Sequence, residues 1–156
     1  MLFRSAARGQ HHSGVWSILG IEQPRSTWSE DDFYADALPC LKRLRSRGLL
    51  VGAVGNTPAE AEDLLGAHVD LVGSSVRWGV EKPAPGFFAR LTDETGVSPG
   101  DTAYVGDRVD NDVRPALTAG MLAVHIRRGP WGHLHEAPPE ALRIGSLDEL
   151  PEAVGV

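Results

Sequence analysis

Short apolar runs alternate with amphipathic segments along the chain from about residue 49 onward. Four runs are mainly β-branched or apolar, as strands covered on both faces are. They lie at residues 49–54, 69–72, 102–105 and 122–126, and a weaker fifth run lies at 142–144 before a short helical pattern over 147–153. This alternation predicts βαβ units and a mainly parallel sheet.

Helix-forming patterns fill the segments between these runs. Leu38, Leu41 and Leu44 recur at helical spacing, and Gly48 stands where that helix would end. Similar patterns, each bounded by a capping residue or a glycine, predict helices over residues 58–65, 85–95 and 113–119. Each connection is then long enough for a right-handed crossover between parallel strands.

Composition and charge exclude several classes of protein. The chain of 156 residues carries 15 Lys and Arg against 21 Asp and Glu, a net charge of −6, which disfavours binding to nucleic acid or to an anionic membrane. It has no apolar stretch of transmembrane length and no signal-peptide pattern. The single cysteine, Cys40, fits a reducing compartment. We therefore expect a cytoplasmic protein with neither a nucleic acid nor a membrane as partner.

Three polar segments carry the candidate chemistry, of which two follow predicted strands and one precedes a predicted helix. They are Gly55-Asn56-Thr57-Pro58, Glu81-Lys82-Pro83 and the loop from Gly106 and Asp107 through Asp110 to Asp112. In parallel α/β sheets, ligands bind outside the carboxyl ends of the strands. The three segments are therefore expected to meet at one edge of the sheet.

Each segment has a structural interpretation beside the functional one. The carboxylates of Asp107, Asp110 and Asp112 would suit Mg²⁺ with several waters, but such acids also end strands and cap helices. Lys82 could neutralise a phosphoryl group in transfer, although most lysines are solvated surface charges. Backbone amides and the side chains of Asn56 and Thr57 could bind the same anion, or Thr57 could cap the next helix.

In order and spacing these segments resemble the haloacid dehalogenase (HAD) superfamily of hydrolases over about residues 36–128. The segments that carry the resemblance are Val80-Glu81-Lys82-Pro83-Ala84-Pro85 and the run from Val105-Gly106-Asp107 to Ala119-Gly120-Met121. The resemblance implies an α/β, HAD-like Rossmannoid fold of three layers. It also implies that Lys82 is the catalytic lysine of the third motif, that Asp107 and Asp112 are the Mg²⁺-site acids of the fourth, and that Asp110 is an additional candidate ligand.

Two features depart from the family pattern. Gly55 stands where the family has Thr or Ser, so the phosphate-binding hydroxyl is absent or comes from Thr57, with Asn56 beside it. No Asp-x-Asp lies upstream of residue 49, so the nucleophile and the central strand that carries it are missing. We expect the chain alone to be inactive, and the unpaired centre of its sheet would allow a strand-exchanged homodimer.

The departures lead to a prediction about domain organisation. Residues 1–35 are polar and broken by Gly and Pro, and we interpret them as the remnant of a cap or linker. Residues 36–156 are then a partial hydrolase core from a longer protein. Residues 1–5 match the translated end of a common sequencing adapter, so our hypothesis is that they are an assembly artefact.

The expected function follows from the resemblance. The parent protein would be a Mg²⁺-dependent phosphatase that acts on a small phosphorylated metabolite through an aspartyl-phosphate. The alternative is a non-catalytic HAD-like protein that binds a phosphorylated ligand or a partner. Dehalogenase and phosphonatase chemistry stay open. We expect His125 to be packed in its strand rather than catalytic, and Arg127 and Arg128 to lie within reach of a substrate anion.

Overall fold

The computed structural model describes residues 19–20, 22, 28–57 and 61–156. Strands and helices alternate along this part of the chain, as the hydrophobic pattern predicts. The strands are β1 (Gly52–Gly55), β2 (Leu71–Ser74), β3 (Ala103–Gly106), β4 (Leu122–Ile126) and β5 (Leu142–Ile144). The α-helices are α1 (Ala37–Ser46), α2 (Glu62–Gly66), α3 (Ser75–Trp78), α4 (Pro85–Thr95), α5 (Arg114–Thr118) and α6 (Leu150–Ala153), and a π-helical turn spans Val109–Val113.

The strands form two hydrogen-bonded groups in which every pairing is parallel. β1 pairs with β2, while β3 pairs with β4 and β4 with β5. Within the described residues no ladder joins β1 to β3. The predicted α/β class and parallel pairing are confirmed, whereas the missing central strand stays a prediction.

The first strand begins three residues later than its apolar run predicts. The Val51 N–H donates to the Asp70 carboxylate at 3.0 Å, and the Val51 carbonyl accepts from the N–H groups of Asp70 and Leu71. These bonds occupy the backbone of Val51 before the regular ladder starts at Gly52, so side-chain chemistry sets this boundary.

Helix boundaries differ from the predictions at two places near the candidate site. The helix predicted over 58–65 is seen from Glu62, and residues 58–60 lie outside the described part of the chain. The helix predicted over 113–119 is a π-helical turn followed by the short α5. By contrast, α4, β4 and β5 have the predicted bounds, and α3 has no counterpart in the predictions.

Helices cover both faces of the strands and enclose two apolar clusters. Phe87 and Phe88 of α4 pack with Ala123 in the first cluster, and Cys40 of α1 packs with Val124 in the second. Adjacent residues of β4 thus enter opposite cores, because side chains alternate across a strand. In the described part of the chain, no helix has the length and apolar character needed to cross a bilayer.

Candidate active site

The three polar segments meet at the carboxyl ends of β1 and β3, as predicted. Asn56 links two of them, because its side chain pairs with the backbone of Lys82. The Asn56 amide donates to the Lys82 carbonyl at 3.0 Å, and the Lys82 N–H donates to Asn56 Oδ1 at 2.8 Å. Asn56 therefore holds the loop that presents the lysine, a role that its position after a strand did not reveal.

The Lys82 side chain forms a buried ion pair with Asp112. Its Nζ lies 2.6 Å from Asp112 Oδ1, and the two side chains are only 13% and 4% exposed. Burial alone would lower the pKa of Lys82, but the neighbouring Tyr104 and Asp112 outweigh it and raise that pKa. The ammonium is thus charged at neutral pH, and it lies 5.7 Å from the centroid of the Tyr104 ring.

Asp112 is fixed by the π-helical turn in which it lies. Its Oδ2 accepts a hydrogen bond from the Arg108 N–H at 3.0 Å, so both carboxylate oxygens are used. The turn passes so close to β3 that a methyl group on Gly106 would lie 2.5 Å from Asp112 Cγ and 2.7 Å from Oδ2. Glycine is therefore required at position 106 for this placement of the carboxylate.

Asp107 is a half-buried acid directly after β3. Burial and, second, the neighbouring carboxylate of Asp112 raise its pKa, because both effects disfavour a negative charge there. Within the described residues no Lys or Arg side chain forms an ion pair with Asp107, and the nearby ammonium of Lys82 is engaged by Asp112. An ionised Asp107 therefore favours a bound cation.

Asp110 is drawn away from the other two acids. Its two oxygens accept from Nε and Nη2 of Arg108 at 3.1 and 2.7 Å, and the Arg108 guanidinium stacks on Trp131 at 4.7 Å. Among the described residues no three acidic, histidine or cysteine side chains come together as a cation site. In this structure Asp110 thus does not join Asp107 and Asp112 as a third ligand.

A small cradle lies above Gly55 at the end of β1. The Thr57 hydroxyl lies 3.1 Å from the point where a side chain on Gly55 would begin, and Lys82 Nζ lies 3.7 Å from the same point. A hydroxyl donor and an ammonium thus face one space that exists because residue 55 has no Cβ. Both groups are donors of the kind that bind phosphate oxygens.

Arg128 is not available to a substrate anion, contrary to expectation. Its guanidinium is paired with both oxygens of Asp36, at 2.9 Å for Nη1. The same carboxylate accepts from the Ser146 hydroxyl at 2.7 Å and the Leu147 N–H at 2.9 Å. This network ties the start of α1 to the loop after β5 and is structural.

The carboxylate oxygens of Asp107 and Asp112 are the type of ligand that Mg²⁺ prefers. The carboxylate of Asp112 lies close enough to Asp107 to help raise the pKa of Asp107. Mg²⁺ is commonly held by one or two carboxylates while it keeps several waters. The described residues therefore supply part of a Mg²⁺ site, with Asp107 as the acid that no ion pair neutralises.

Comparison with known proteins agrees with this arrangement. A family model described as haloacid dehalogenase-like hydrolase matches residues 7–120. The chain belongs to this family. Membership of the HAD family thus explains the order of the three segments and the parallel α/β architecture.

The curated relatives of this HAD chain include phosphatases. It is 43% identical over 104 residues to a glyceraldehyde 3-phosphate phosphatase of Methanopyrus kandleri, with 63% of this chain and 45% of the relative covered. It is 37% identical over 123 residues to a phosphoserine phosphatase of Thermus thermophilus, with 75% and 49% covered. The chain thus spans about half the length of these relatives.

A solved structure agrees with the HAD fold. The crystal structure of a HAD phosphatase from Thermococcus onnurineus superposes with a TM-score of 0.71 over 92% of this chain and 70% of that one. The sequence identity is 24%, so this likeness concerns the fold.

Tyr104 was missed in the sequence, whereas for His125 the expected packing in its strand is confirmed and only its polar contact was not predicted. Tyr104 lies beneath the Lys82 ammonium, and burial raises the pKa of its phenol to about 12, so the hydroxyl stays protonated. His125 contacts the backbone of Asp107, with its Nε2 3.2 Å from the carbonyl oxygen. A polar residue inside an apolar strand was the available signal for both.

Proposed function

We propose that this chain is part of a Mg²⁺-dependent phosphatase that acts on small phosphorylated metabolites. The observation that carries the proposal is the position of Lys82 Nζ. It bonds to Asp112 of the acidic loop and also faces the cradle formed by Gly55 and Thr57. One ammonium therefore links the proposed two-acid cation site to the cradle proposed to bind phosphate, and phosphoryl transfer requires such neutralisation of phosphate oxygens.

The residues of this chain have distinct roles in the proposed reaction. The Thr57 hydroxyl donates to a phosphate oxygen and replaces the hydroxyl that the family carries at position 55. The Lys82 ammonium neutralises a second oxygen and the attacking carboxylate. Asp107 and Asp112 would hold Mg²⁺, which when bound supplies further neutralisation of phosphate charge.

The attacking carboxylate is proposed to lie outside this sequence. No Asp-x-Asp precedes residue 49, the chain spans about half of its curated relatives, and β1 and β3 are not hydrogen-bonded to each other in the described residues. These observations support a longer parent protein in which a further strand brings the nucleophile between β1 and β3. The chain alone is then inactive.

The substrate class is proposed from the relatives. Their names specify phosphatases for glyceraldehyde 3-phosphate and for phosphoserine, both small phosphate monoesters. Beside the site, the Arg108 guanidinium stacked on Trp131 offers a polar and aromatic wall for the part of the substrate that leaves. We therefore propose a small polar phosphomonoester rather than a polymer as substrate.

The test begins upstream of this sequence in its source DNA. We expect the reading frame to continue through an apolar strand that ends in Asp-x-Asp, and a frame without it would favour the non-catalytic alternative. The extended protein should release inorganic phosphate from p-nitrophenyl phosphate, glyceraldehyde 3-phosphate or phosphoserine with Mg²⁺ but not with EDTA.

Substitutions in the extended protein test the proposed roles of individual residues. Lys82→Met and Asp107→Asn should each lower kcat by about a hundredfold or more, while Asp93→Asn on the exposed side of α4 serves as the matched control. Absence of Mg²⁺-dependent phosphate release would contradict the proposed activity. Release by the 156-residue chain alone would contradict its proposed inactivity.

A further inference from the structure

His125 is a buried polar side chain to which the proposed chemistry assigns no role. It lies in β4 and is 1% exposed. Its register partner is Gly106, the last paired residue of β3. His125 therefore stands next to the point where the backbone leaves the sheet and Asp107 begins the acidic loop.

Among the described residues, the imidazole makes one hydrogen bond, to Asp107. Its Nε2 lies 3.2 Å from the Asp107 carbonyl oxygen. A carbonyl only accepts hydrogen bonds, so Nε2 must carry the proton and donate. The other ring nitrogen, Nδ1, is buried with no hydrogen-bond partner in the described part of the chain.

An apolar side chain would avoid burying this unpartnered nitrogen. A buried polar group without a partner destabilises a fold, and the neighbouring positions in β4 are filled by Ala123, Val124 and Ile126. The imidazole is therefore a costly choice for packing alone. Its single bond, to the backbone of Asp107, is the interaction that distinguishes it from a valine or leucine.

The backbone at Asp107 is also a place where a restraint matters. Asp107 lies one residue beyond the β3 ladder, which ends at Gly106, and two like-charged carboxylates on one loop repel each other. Repulsion between the two acids tends to move the loop apart. A donor bound to the Asp107 carbonyl opposes that movement.

We propose that His125 is a positioning residue that anchors Asp107 through its backbone carbonyl and so keeps the two carboxylates together for a divalent cation. The inference rests on the proposed function, because it takes Asp107 and Asp112 as the cation site. It concerns the backbone anchor and assigns His125 no contact with substrate.

Three variants separate anchoring from packing. His125→Leu removes the donor and keeps an apolar volume, whereas His125→Gln keeps a side-chain N–H donor. Val124→Ala is the matched control, because Val124 is the adjacent, fully buried residue of the same strand and belongs to the opposite core. It should lower stability without disturbing Asp107.

The first readout needs no metal. The Arg108 N–H bonds to Asp112 across the acidic loop, so its hydrogen exchange reports whether the loop is held. We expect His125→Leu to accelerate this exchange about tenfold, the worth of one buried hydrogen bond, beyond any change in global unfolding. The Gln variant and Val124→Ala should stay near the wild type. Equal exchange in the Leu variant and Val124→Ala would overturn the proposal.

The second readout is the affinity for Mn²⁺, used as the probe cation and measured by calorimetry. His125→Leu should weaken binding severalfold, with rescue by Gln and no change in Val124→Ala. If the wild type binds no Mn²⁺ while the exchange effect is present, the anchor stands and the cation site of the proposed function fails. Unchanged affinity and unchanged exchange in the Leu variant would reject the anchor.

A third measurement uses the wild type alone and remains decisive if the Leu variant does not fold. Nitrogen-15 spectra of His125 should show a slowly exchanging proton on Nε2 and none on Nδ1. The opposite tautomer cannot donate to Asp107 and would refute the proposal.

Discussion

Breaking the Lys82–Asp112 ion pair should destabilise the chain far more than breaking an exposed pair of similar length. Nζ and Oδ1 are 2.6 Å apart, and the side chains are 13% and 4% exposed. Arg90 and Glu94 form the control pair at 2.5 Å, with side chains 52% and 32% exposed. The two pairs match in separation and differ strongly in burial, and the control pair joins residues four apart on one helix.

The expected loss in free energy of unfolding follows from two opposing effects, the attraction between the charges and the cost of removing them from water. At 2.6 Å, the attraction between unit charges is about 6 kcal/mol with an effective dielectric constant near 20. Desolvation offsets much of it in the intact pair, but a single variant leaves the other charge buried without compensation. We therefore expect Lys82→Met and Asp112→Asn each to lower the free energy of unfolding by about 3–5 kcal/mol. Arg90→Met should lower it by only about 0.3–0.5 kcal/mol.

Urea unfolding followed by tryptophan fluorescence measures these changes. With a slope of about 1–3 kcal/mol per molar urea, each buried variant should lower the midpoint by about 2 M. The double variant Lys82→Met/Asp112→Asn should lose at least about 1 kcal/mol less than the sum of the single losses. Additive losses, or single losses as small as that of Arg90→Met, would refute the view that the site is held by a desolvated ion pair.

Three further substitutions test other parts of the structure. Gly106→Ala should lower the free energy of unfolding in urea by about 1–3 kcal/mol, because the added methyl group overlaps Asp112. The control Gly52→Ala should change that free energy little, because the nearest atom to its added methyl group is 3.6 Å away. Equal effects of the two variants would contradict the close approach of Asp112 to Gly106. Gly55→Ala should fill the cradle and so weaken the binding of inorganic phosphate measured by calorimetry, while the unfolding midpoint stays nearly unchanged. An unaltered affinity for phosphate would show that the cradle is not the anion site. Asp36→Asn should lower the free energy of unfolding by about 1.5–3 kcal/mol at pH 7. Because its guanidinium partner lowers the pKa of Asp36 in the fold, the stability difference between wild type and variant should be full above about pH 4, the ordinary pKa of Asp, and shrink below it. A stability difference that does not change down to pH 2 would contradict the ionised contact.

Much of the architecture was predictable because hydrophobic periodicity and the residues that end helices and strands are local features of the sequence. The run at β4 and the pattern at α4 gave the observed bounds, since apolar alternation and a terminal glycine are properties of adjacent residues. The meeting of Lys82 and Asp112, thirty positions apart, was predictable from the rule that ligand sites lie at the carboxyl ends of parallel strands. The sequence therefore predicted that these two side chains would come together at this edge of the sheet.

Side-chain partners were less predictable, because they depend on distances between elements. Asp110 and Asp112 both belong to an acidic loop, yet one pairs with Arg108 and the other with Lys82. The π-helical turn decides between them by rotating Asp112 toward β3. A pattern of residue types carries no information on such a turn, so the sequence suggested three neighbouring acids, whereas Asp110 is drawn away to Arg108.

The balance of charge connects the two carboxylates with the segment proposed to precede this chain. Asp107, Asp112 and Lys82 carry a net charge of −1 when all are ionised, because Asp110 and Arg108 neutralise each other outside the group. A nucleophilic carboxylate beside them would raise the local charge to −2, in surroundings where burial already raises the pKa of Asp107. A divalent cation offsets that charge, and neither Lys82 alone nor a monovalent ion does. The proposed requirement for Mg²⁺ would therefore be stronger once the proposed nucleophile is present, which is the physical reason to treat the proposed cation and the proposed additional strand as parts of one site.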